Sequence, residues 1–341
     1  MKKLRVLVVL HASLVPPASL DGYSIQQIDE WRTEYDVVSA LAAAGHELRI
    51  VGVLDSLTEL RAALIDWKPQ IVFNLLEEFN GIVAYDQHLV AFLELMRQPY
   101  TGCNPRGLLL SRDKVLCKQL LAFHRIPTPR FALLRRGQKF RVPPRLRLPL
   151  FVKSATEDAS LGISQSSVVH DAQQLRERVQ FMHEQIGCDA LVEEYIEGRE
   201  VYVGVIGNER LTRLPVWEMN FGTLPQSRPA IATRKVKWDR AYQGKYGIGT
   251  REAQDLPAAL LQQLDRLARR IYRALHLSGY ARIDFRIRAD GSVFVLEANA
   301  NPDICSSGDF ARSAGVSGME YPALIGRIMA LGGSYRAEWR D

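Results

Sequence analysis

Cysteine is scarce in this 341-residue sequence, and Cys103, Cys117, Cys188 and Cys305 stand far apart with no C-x-x-C pair. That spacing excludes a zinc knuckle and a disulfide-stapled secreted scaffold, and it predicts a reducing, cytoplasmic setting. Long apolar runs are also missing: nothing approaches the roughly 18 to 20 residues of a membrane span, so no membrane contact is expected. The apolar run after Met1 is interrupted by Arg5 and closed by His11, too early for a secretory signal. Neither G-x-x-x-x-G-K-[ST] nor G-x-G-x-x-G occurs, which removes the P-loop and the Rossmann fingerprint. Repeats and low-complexity tracts are absent as well. Residues 135–147 lack any acid and carry six basic residues, Arg135, Arg136, Lys139, Arg141, Arg145 and Arg147, around Pro143-Pro144. Only Phe140 is interleaved as an aromatic, so this stretch reads as a solvated connection, and no nucleic-acid partner is expected.

What remains is an ordinary globular composition, 47% hydrophobic and 24% charged, enough chain for two or three domains of roughly 150 residues. The formal charge of +6 suits an anionic small ligand as well as nucleic acid and alone selects neither. Residues 6–10 form a short, β-branched apolar run, the pattern of a buried parallel strand. Helical spacing over 31–44 stops at Gly45, and 46–53 alternates as a strand. A helix at 56–67, a strand at 70–76 and a helix at 84–97 continue the order, predicting a parallel sheet covered by helices. Ser111-Arg112-Asp113-Lys114 starts a helix that runs to about 124 and breaks at Ile126-Pro127-Thr128-Pro129. A domain boundary falls there, so the expected units are 1–112, 113–199 and 200–341. Over 255–277 the stripe Leu260, Leu264, Leu267, Ile271 and Leu275 is a core-facing helix.

The most informative segment is 281–299, two alternating runs joined by Ala289-Asp290-Gly291-Ser292, hence a β-hairpin. With Asp290-Gly291 as a two-residue turn, Asp284 faces Glu297 and Arg282 faces Asn299. Like charges opposed at about 5 Å destabilise a sheet unless a positive group intervenes, and a hard divalent cation takes carboxylate and amide oxygens. Asp284, Glu297 and Asn299 are therefore a candidate Mg²⁺ site, favoured over a solvated acidic face balanced by Arg282, Arg286 and Arg288. Lys153 closes the apolar run 148–152 beside the small-residue loop 154–163, where backbone N–H groups could cradle phosphate. Glu157, Ser160 and Gly162 of that loop are candidate contacts. In 191–200 a strand exits at Glu193-Glu194-Tyr195-Ile196, turns at Gly198 and re-enters after Glu200; such a hinge can offer backbone hydrogen bonds to a base and a carboxylate to a ribose.

Taken in order, Val72-Phe73-Asn74, Pro99-Tyr100-Thr101-Gly102, Asp113-Lys114, Ile126-Pro127-Thr128-Pro129, Phe151-Val152-Lys153, 193–200, Arg282-Ile283-Asp284-Phe285 and Glu297-Ala298-Asn299 resemble the ATP-grasp superfamily, specifically the D-alanine:D-alanine ligase family. The resemblance implies an α/β ATP-grasp fold: an N-terminal parallel α/β domain plus two α+β subdomains that sandwich ATP. It implies that Lys114 and Lys153 contact ATP, that Glu193, Glu194, Tyr195 and Ile196 hold adenine, and that Glu200 holds ribose. Asp284, Glu297 and Asn299 fall on the family's Mg²⁺ ligands, which also accept Mn²⁺. Lys245, beside Tyr246, resembles a lysine that reaches the γ-phosphate from a mobile loop, and Arg282 the arginine that stabilises the tetrahedral intermediate. The implied partners are small molecules, an amino acid or other carboxylate plus an amine, and the implied assembly is a homodimer.

Departures cluster where the substrates bind. The family's H-G-G-x-S-x-E segment is replaced by 11–17 and an insertion, with Glu30 or Glu34 as substitutes for its amine-binding glutamate. Glu77 stands in place of a histidine, and Asp158-Ala159 in place of Gly-Ser. Asn301-Pro302-Asp303 replaces an S-P-G turn, and Ser307, two residues short, approximates the acceptor-carboxylate serine. Glu77, Asp303 and Ser307 are thus the candidate substrate residues of an amide-forming ligase with rebuilt amino-acid sites. The alternatives are a true D-alanine:D-alanine ligase and a noncatalytic ATP-binding module.

Overall fold

The computed structural model describes residues 3–156, 162–225 and 228–340. The first strand, β1 (Arg5–His11), is buried on both faces because it lies in the middle of a parallel sheet. The helices α1 (Ile25–Glu30) and α2 (Arg32–Ala43) follow, then β2 (Glu47–Val53), α3 (Thr58–Asp66), β3 (Ile71–Asn74), α4 (Asp86–Leu95) and α5 (Pro105–Arg112). Both β2 and β3 pair with β1 in parallel, as the alternation of strands and helices predicts. Leu7 and Val9 face a core shared with α3 and α4, whereas Val6, Val8 and Leu10 face the opposite one. Sequence patterning missed α1 and α5, although α5 carries Asn104 as N-cap and proline at its first position.

The middle of the chain forms a second sheet in the order β4-β7-β5-β6. Asp113 caps α6 (Lys114–Phe123) by accepting from the N–H groups of Val115 and Leu116 at 3.0 and 2.9 Å. Then come β4 (Phe131–Leu134), β5 (Leu150–Ser154), β6 (Val168–Val169), α7 (Ala172–Phe181) and β7 (Ala190–Glu194). The basic stretch 135–147 is the connection from β4 to β5.

The third sheet is antiparallel, built from β8 (Arg199–Ile206) and β9 (Thr212–Asn220), the short helices α8 (Arg234–Trp238) and α9 (Arg240–Tyr246), then β10 (Gly249–Glu252), α10 (Ala258–Ala274), β11 (Tyr280–Ile287) and β12 (Val293–Ala300). Apolar positions of α10 pack on β8, as its stripe predicts. The last helices, α11 (Asp309–Val316) and α12 (Tyr321–Ser334), return to the first sheet: Leu324, Ile325 and Ile328 lie in one core with Val6, Val8 and Leu10. That return is close. A β-carbon on Gly332 would sit 2.3 Å from the Tyr100 carbonyl oxygen, a backbone atom that cannot swing away. Gly332→Ala is therefore expected to destabilise the protein by about 2 kcal/mol, as overpacked interiors do, measurable as a lower midpoint in urea. Among the described residues no helix is long and apolar enough to cross a membrane.

The hairpin turn differs from the sequence expectation. Ile287 pairs with Val293 and the Arg288 N–H donates to the Ser292 carbonyl, so the turn is wider than Asp290-Gly291 alone. A register shift between Asp284 and Phe285 then inserts Leu296 as an extra residue on β12. The two departures cancel, and Asp284 opposite Glu297 with Arg282 opposite Asn299 is the observed pairing.

Candidate active site

On the β4-β7-β5-β6 sheet, Glu193 at the end of β7 lies between two lysines. Its Oε1 is 2.6 Å from Lys153 Nζ and its Oε2 2.8 Å from Lys118 Nζ, with all three side chains at least nine-tenths buried. Burial acts to raise the Glu193 carboxyl, but the two ammonium groups outweigh it and hold it below its ordinary value. Lys118 also donates to Thr128 Oγ1 at 2.8 Å, and that hydroxyl donates to the Val295 carbonyl of β12 at 3.2 Å. This chain of contacts joins the middle sheet to the third. Glu297 adds to the field on Lys153, so that lysine lies between an acid of each sheet. Lys114, one turn before Lys118, is buried at the start of α6. Sequence reading missed Lys118, although the i,i+4 spacing from Lys114 places both lysines on one helix face.

The hinge follows directly. Glu194 and Tyr195 donate their N–H groups to the Arg130 and Pro149 carbonyls at 2.9 and 3.0 Å, and Ile196 is buried. Glu200 is buried and paired through Oε2 with Arg286 Nη2 at 2.5 Å, while Tyr202 donates to Oε1 at 3.0 Å. Arg286 also donates to the Gly198 and Ala230 carbonyls at 3.2 and 2.9 Å. Arg286 is thus the tie that fixes the hinge on β11, rather than a solvated counter-charge. A cavity of about 470 Å³ opens beside it, lined by Gly198, Glu200, Glu218 and Arg288 among others. A second, of about 240 Å³, lies between Arg135, Phe140 and Arg176, away from these groups.

Asp284 and Glu297 stand opposed across β11 and β12, with Asn299 donating to Asp284 Oδ2 at 3.2 Å. Burial raises the Asp284 carboxyl; Arg282 pulls it back and Glu297 pushes it further, leaving it above the ordinary range. Arg282 grips Asp284 through two bonds of 2.8 and 2.9 Å and lies 5.0 Å over the Tyr202 ring. These oxygens fit a hard divalent cation: two carboxylates and an amide whose oxygen turns inward on a simple flip. Glu157, Asp158, Ala159 and Ser160 lie outside the described residues. Gly162 is described; its carbonyl accepts from Arg178.

Lys245 and Tyr246 lie on α9. Lys245 is exposed near the end of α9, its ammonium 5.2 Å from the Tyr246 ring, and it makes no ion pair among the described residues. Tyr246 packs into a small core with Tyr202, Trp217 and Tyr242. Lys237 of α8 adds a smaller positive field on Asp284, after Arg282. Thr223 donates its N–H to the Tyr246 carbonyl and Gly247 ends the helix in the left-handed conformation. At the other end of α9, Arg240 pairs with Asp29 of α1, which joins the two helices.

Residues 120–330, well over half the chain, match the family model described as D-ala D-ala ligase C-terminus. The chain belongs to the D-alanine–D-alanine ligase family. A D-alanine–D-alanine ligase of Syntrophotalea carbinolica is 32% identical, over 91% of this chain and 93% of that one. An uncharacterized protein of Sinorhizobium fredii is 34% identical, over 86% and 85% of the two chains. The crystal structure of a D-alanine–D-alanine ligase from Bacillus anthracis complexed with ATP superposes with a TM-score of 0.73 at 20% identity, covering 96% of this chain and 97% of that one. The fold is accordingly that of the ATP-grasp ligases, the enzyme class to which this family belongs.

Asp303 and Ser307, two of the residues expected to contact substrate, belong to the loop that follows β12. Of the two glutamates offered as substitutes for the missing amine-binding residue, Glu30 is exposed on α1, whereas Glu34 in the first turn of α2 is 7% exposed. Glu34 lies in the field of Glu77 and Asp303. Asp303 Oδ1 accepts from Thr33 Oγ1 at 2.7 Å, which fixes the 301–307 loop against α2. Asn301 takes the left-handed conformation and accepts the Cys103 N–H at 2.8 Å, a bond that a serine hydroxyl would reach less easily. Ser307 is exposed, 3.8 Å from the Cys305 thiol.

Burial, reinforced by Glu77 and Asp303, pushes the Glu34 carboxyl up from 4.5 to about 7. The folded state then holds a proton that the unfolded chain releases near 4.5. Stability on this account falls as pH rises through the window from 4.5 to 7 and is lowest above it. The full difference is about 3 kcal/mol. Glu34→Gln is expected to raise the unfolding midpoint at pH 8 and to leave it nearly unchanged at pH 4.5; equal shifts at both would contradict this reading.

Proposed function

We propose that this chain is an ATP-dependent carboxylate–amine ligase whose product is a dipeptide-type amide. One substrate carboxylate attacks the γ-phosphorus of ATP, breaking the bond to the bridging oxygen and giving an acylphosphate and ADP. A second substrate's amine, having lost its proton, attacks the acyl carbon; the tetrahedral intermediate collapses to an amide and inorganic phosphate. No enzyme nucleophile is required, and the work is positioning and charge stabilisation. Lys114 and Lys153 hold phosphate oxygens, residues 193–196 hold adenine, Glu200 holds ribose, and Arg282 faces the developing oxyanion. Asp284, Glu297 and Asn299 would hold Mg²⁺, or Mn²⁺, which neutralises phosphate charge when bound. Residues 1–112, 113–199 and 200–341 serve as the three working units, with ATP between the second and third.

The observation that carries this reading is the opposed carboxylate pair of buried Asp284 and half-buried Glu297, with Arg282 and Lys153 beside it. Such a site concentrates the charges that phosphoryl transfer to a carboxylate demands. A second reading, a ligase that joins two D-alanines for the cell wall, is favoured by what its relatives are named. Phosphate release from Mg-ATP against amino acids of both hands, singly and in pairs, with mass spectrometry of the products, tests both. Release with D-alanine alone, and a mass matching D-alanyl-D-alanine, would select the second. Release only with another pair would name the substrates. Silence across the panel would defeat both in favour of a noncatalytic ATP-binding module.

A further inference from the structure

The start of the basic stretch 135–147 is more than a solvated connection. With α7 and the helical turn 182–186 that extends it, residues 134–140 enclose the cavity of about 240 Å³. Leu134, Phe140 and Val179 give it an apolar floor, and all three belong to the hydrophobic core of the middle sheet. Arg135, Lys139 and Arg176 stand around that floor. None of these three makes an ion pair among the described residues. Their neighbour Arg136, by contrast, belongs to the fold: it donates its N–H to Asp189 Oδ1 at 2.9 Å and its guanidinium to the Gly187 carbonyl at 2.6 Å. Two contacts join the walls. Arg176 lies 4.6 Å over the Phe140 ring, which keeps its guanidinium at the cavity. His183 donates through Nε2 to the Leu134 carbonyl at 2.9 Å. Glu184 also lines the cavity, but its carboxylate accepts from Gln180 Nε2 at 2.9 Å and has no cation at ion-pair distance among the described residues.

Three cations without counter-ions around one cavity suit an anion. The planar fork of an arginine meets two oxygens of a phosphate or carboxylate at once, and a dianion matches three positive charges better than a monoanion does. Inorganic phosphate alone would leave the floor bare. Leu134, Phe140 and Val179 call for an apolar body, and a flat one packs beside the Phe140 ring. The cavity, about 240 Å³, equals the liquid volume of roughly eight water molecules, so it takes a small ligand. A single-stranded nucleic acid would need further stacking aromatics along the stretch, and Phe140 stands alone there.

We propose that this cavity is a second binding site, for a small aromatic phosphate monoester, with the ring against Leu134, Phe140 and Val179 and the phosphate among Arg135, Lys139 and Arg176. The site stands apart from the opposed carboxylates, and its occupancy does not depend on the ligase reading. Titration calorimetry would use the full chain with Mg²⁺ and a saturating non-hydrolysable ATP analogue, which fills the phosphate-binding groups of the other site. Phenyl phosphate is the probe; inorganic phosphate, which lacks the ring, and phenol, which lacks the charge, are the controls. Phenyl phosphate is expected to bind about 10-fold tighter than either, or more. Arg135→Gln and Lys139→Gln alter exposed side chains without an ion pair to lose. Each is expected to leave the urea midpoint unchanged and to weaken phenyl phosphate about 5-fold, the effect of one exposed charge pair. Arg145→Gln changes the same basic stretch away from the cavity lining and is expected to leave binding as it was. No binding of phenyl phosphate, affinity equal to that of inorganic phosphate, or an equal loss in all three variants would each overturn the proposal. A single-stranded oligonucleotide that binds more tightly than phenyl phosphate, and weakens equally in all three, would overturn it in favour of an extended polyanion surface.

Discussion

Glu193→Ala is expected to destabilise the protein by about 3–5 kcal/mol, the loss typical when one member of a buried ion pair is removed. The wild-type carboxylate is shared between Lys118 and Lys153, both almost inaccessible to solvent. Without it two ammonium groups are left facing each other in a medium that penalises each, and no other carboxylate stands as close. The lysines respond unequally. Burial already holds Lys118 below its ordinary value, whereas acids on both sides keep Lys153 above its own. In the variant Lys118 is therefore the group that sheds its proton. A lysine whose folded value is depressed opposes folding at low pH and stops doing so as pH rises past its unfolded value. The stability gap between variant and wild type should accordingly narrow from pH 6 to pH 10 in urea titrations. A gap that is constant with pH would mean that lost packing, not uncompensated charge, is responsible. Glu193→Gln is the companion variant: it preserves volume and can accept from one lysine only, its amide nitrogen facing the other as a second donor, so a similar loss there points to charge and hydrogen bonding rather than packing.

The same triad illustrates which parts of the site the sequence made legible. Lys153 was visible because it ends an apolar strand beside a loop, and Glu193 because it precedes a turn. Lys118 was not, because a lysine inside an amphipathic helix reads as solvated surface unless its i,i+4 relation to Lys114 is followed inward. Arg286 was hidden for a similar reason: alternation on β11 predicts a face, not a partner 86 residues away, and its contact with Glu200 needs the strand pairing of β8 with β11.

The hairpin is a more instructive case. A two-residue turn gave the correct pairing at Asp284 only because the real turn is wider and a bulge restores the register. The bulge left a trace in the sequence. Strict alternation would put Glu297 on the buried face of Val293 and Val295, an arrangement a carboxylate does not accept, and Ala298 is buried in its place. The acid out of phase was thus the signal. Lys245 is a different case: its resemblance to a phosphate-reaching lysine fixes a position in the chain and nothing of its surroundings, which are the packed Tyr246 and the turn at Gly247.

Asp284→Asn is expected to lower phosphate release from Mg-ATP by at least about 1,000-fold, a loss of about 4 kcal/mol in transition-state stabilisation. Asparagine keeps the shape of the side chain and removes one of two opposed charges. Two consequences follow from the geometry. Arg282 loses its bidentate partner, so its guanidinium is freed to move toward Tyr202 or solvent, away from the place the proposed mechanism gives it. Glu297 loses the neighbour that makes the pair a divalent-cation site, so the Mg²⁺ concentration for half-maximal rate should rise along with the fall in rate. Stability should change far less than activity, because relief of the Asp284–Glu297 repulsion offsets the orphaned arginine. That combination separates a role in chemistry from a role in folding. A variant with wild-type turnover would overturn the metal assignment outright. Wild-type ATP binding in both proteins, with no phosphate released by either across the amino-acid panel, would instead mean that the carboxylate pair is retained for holding nucleotide alone.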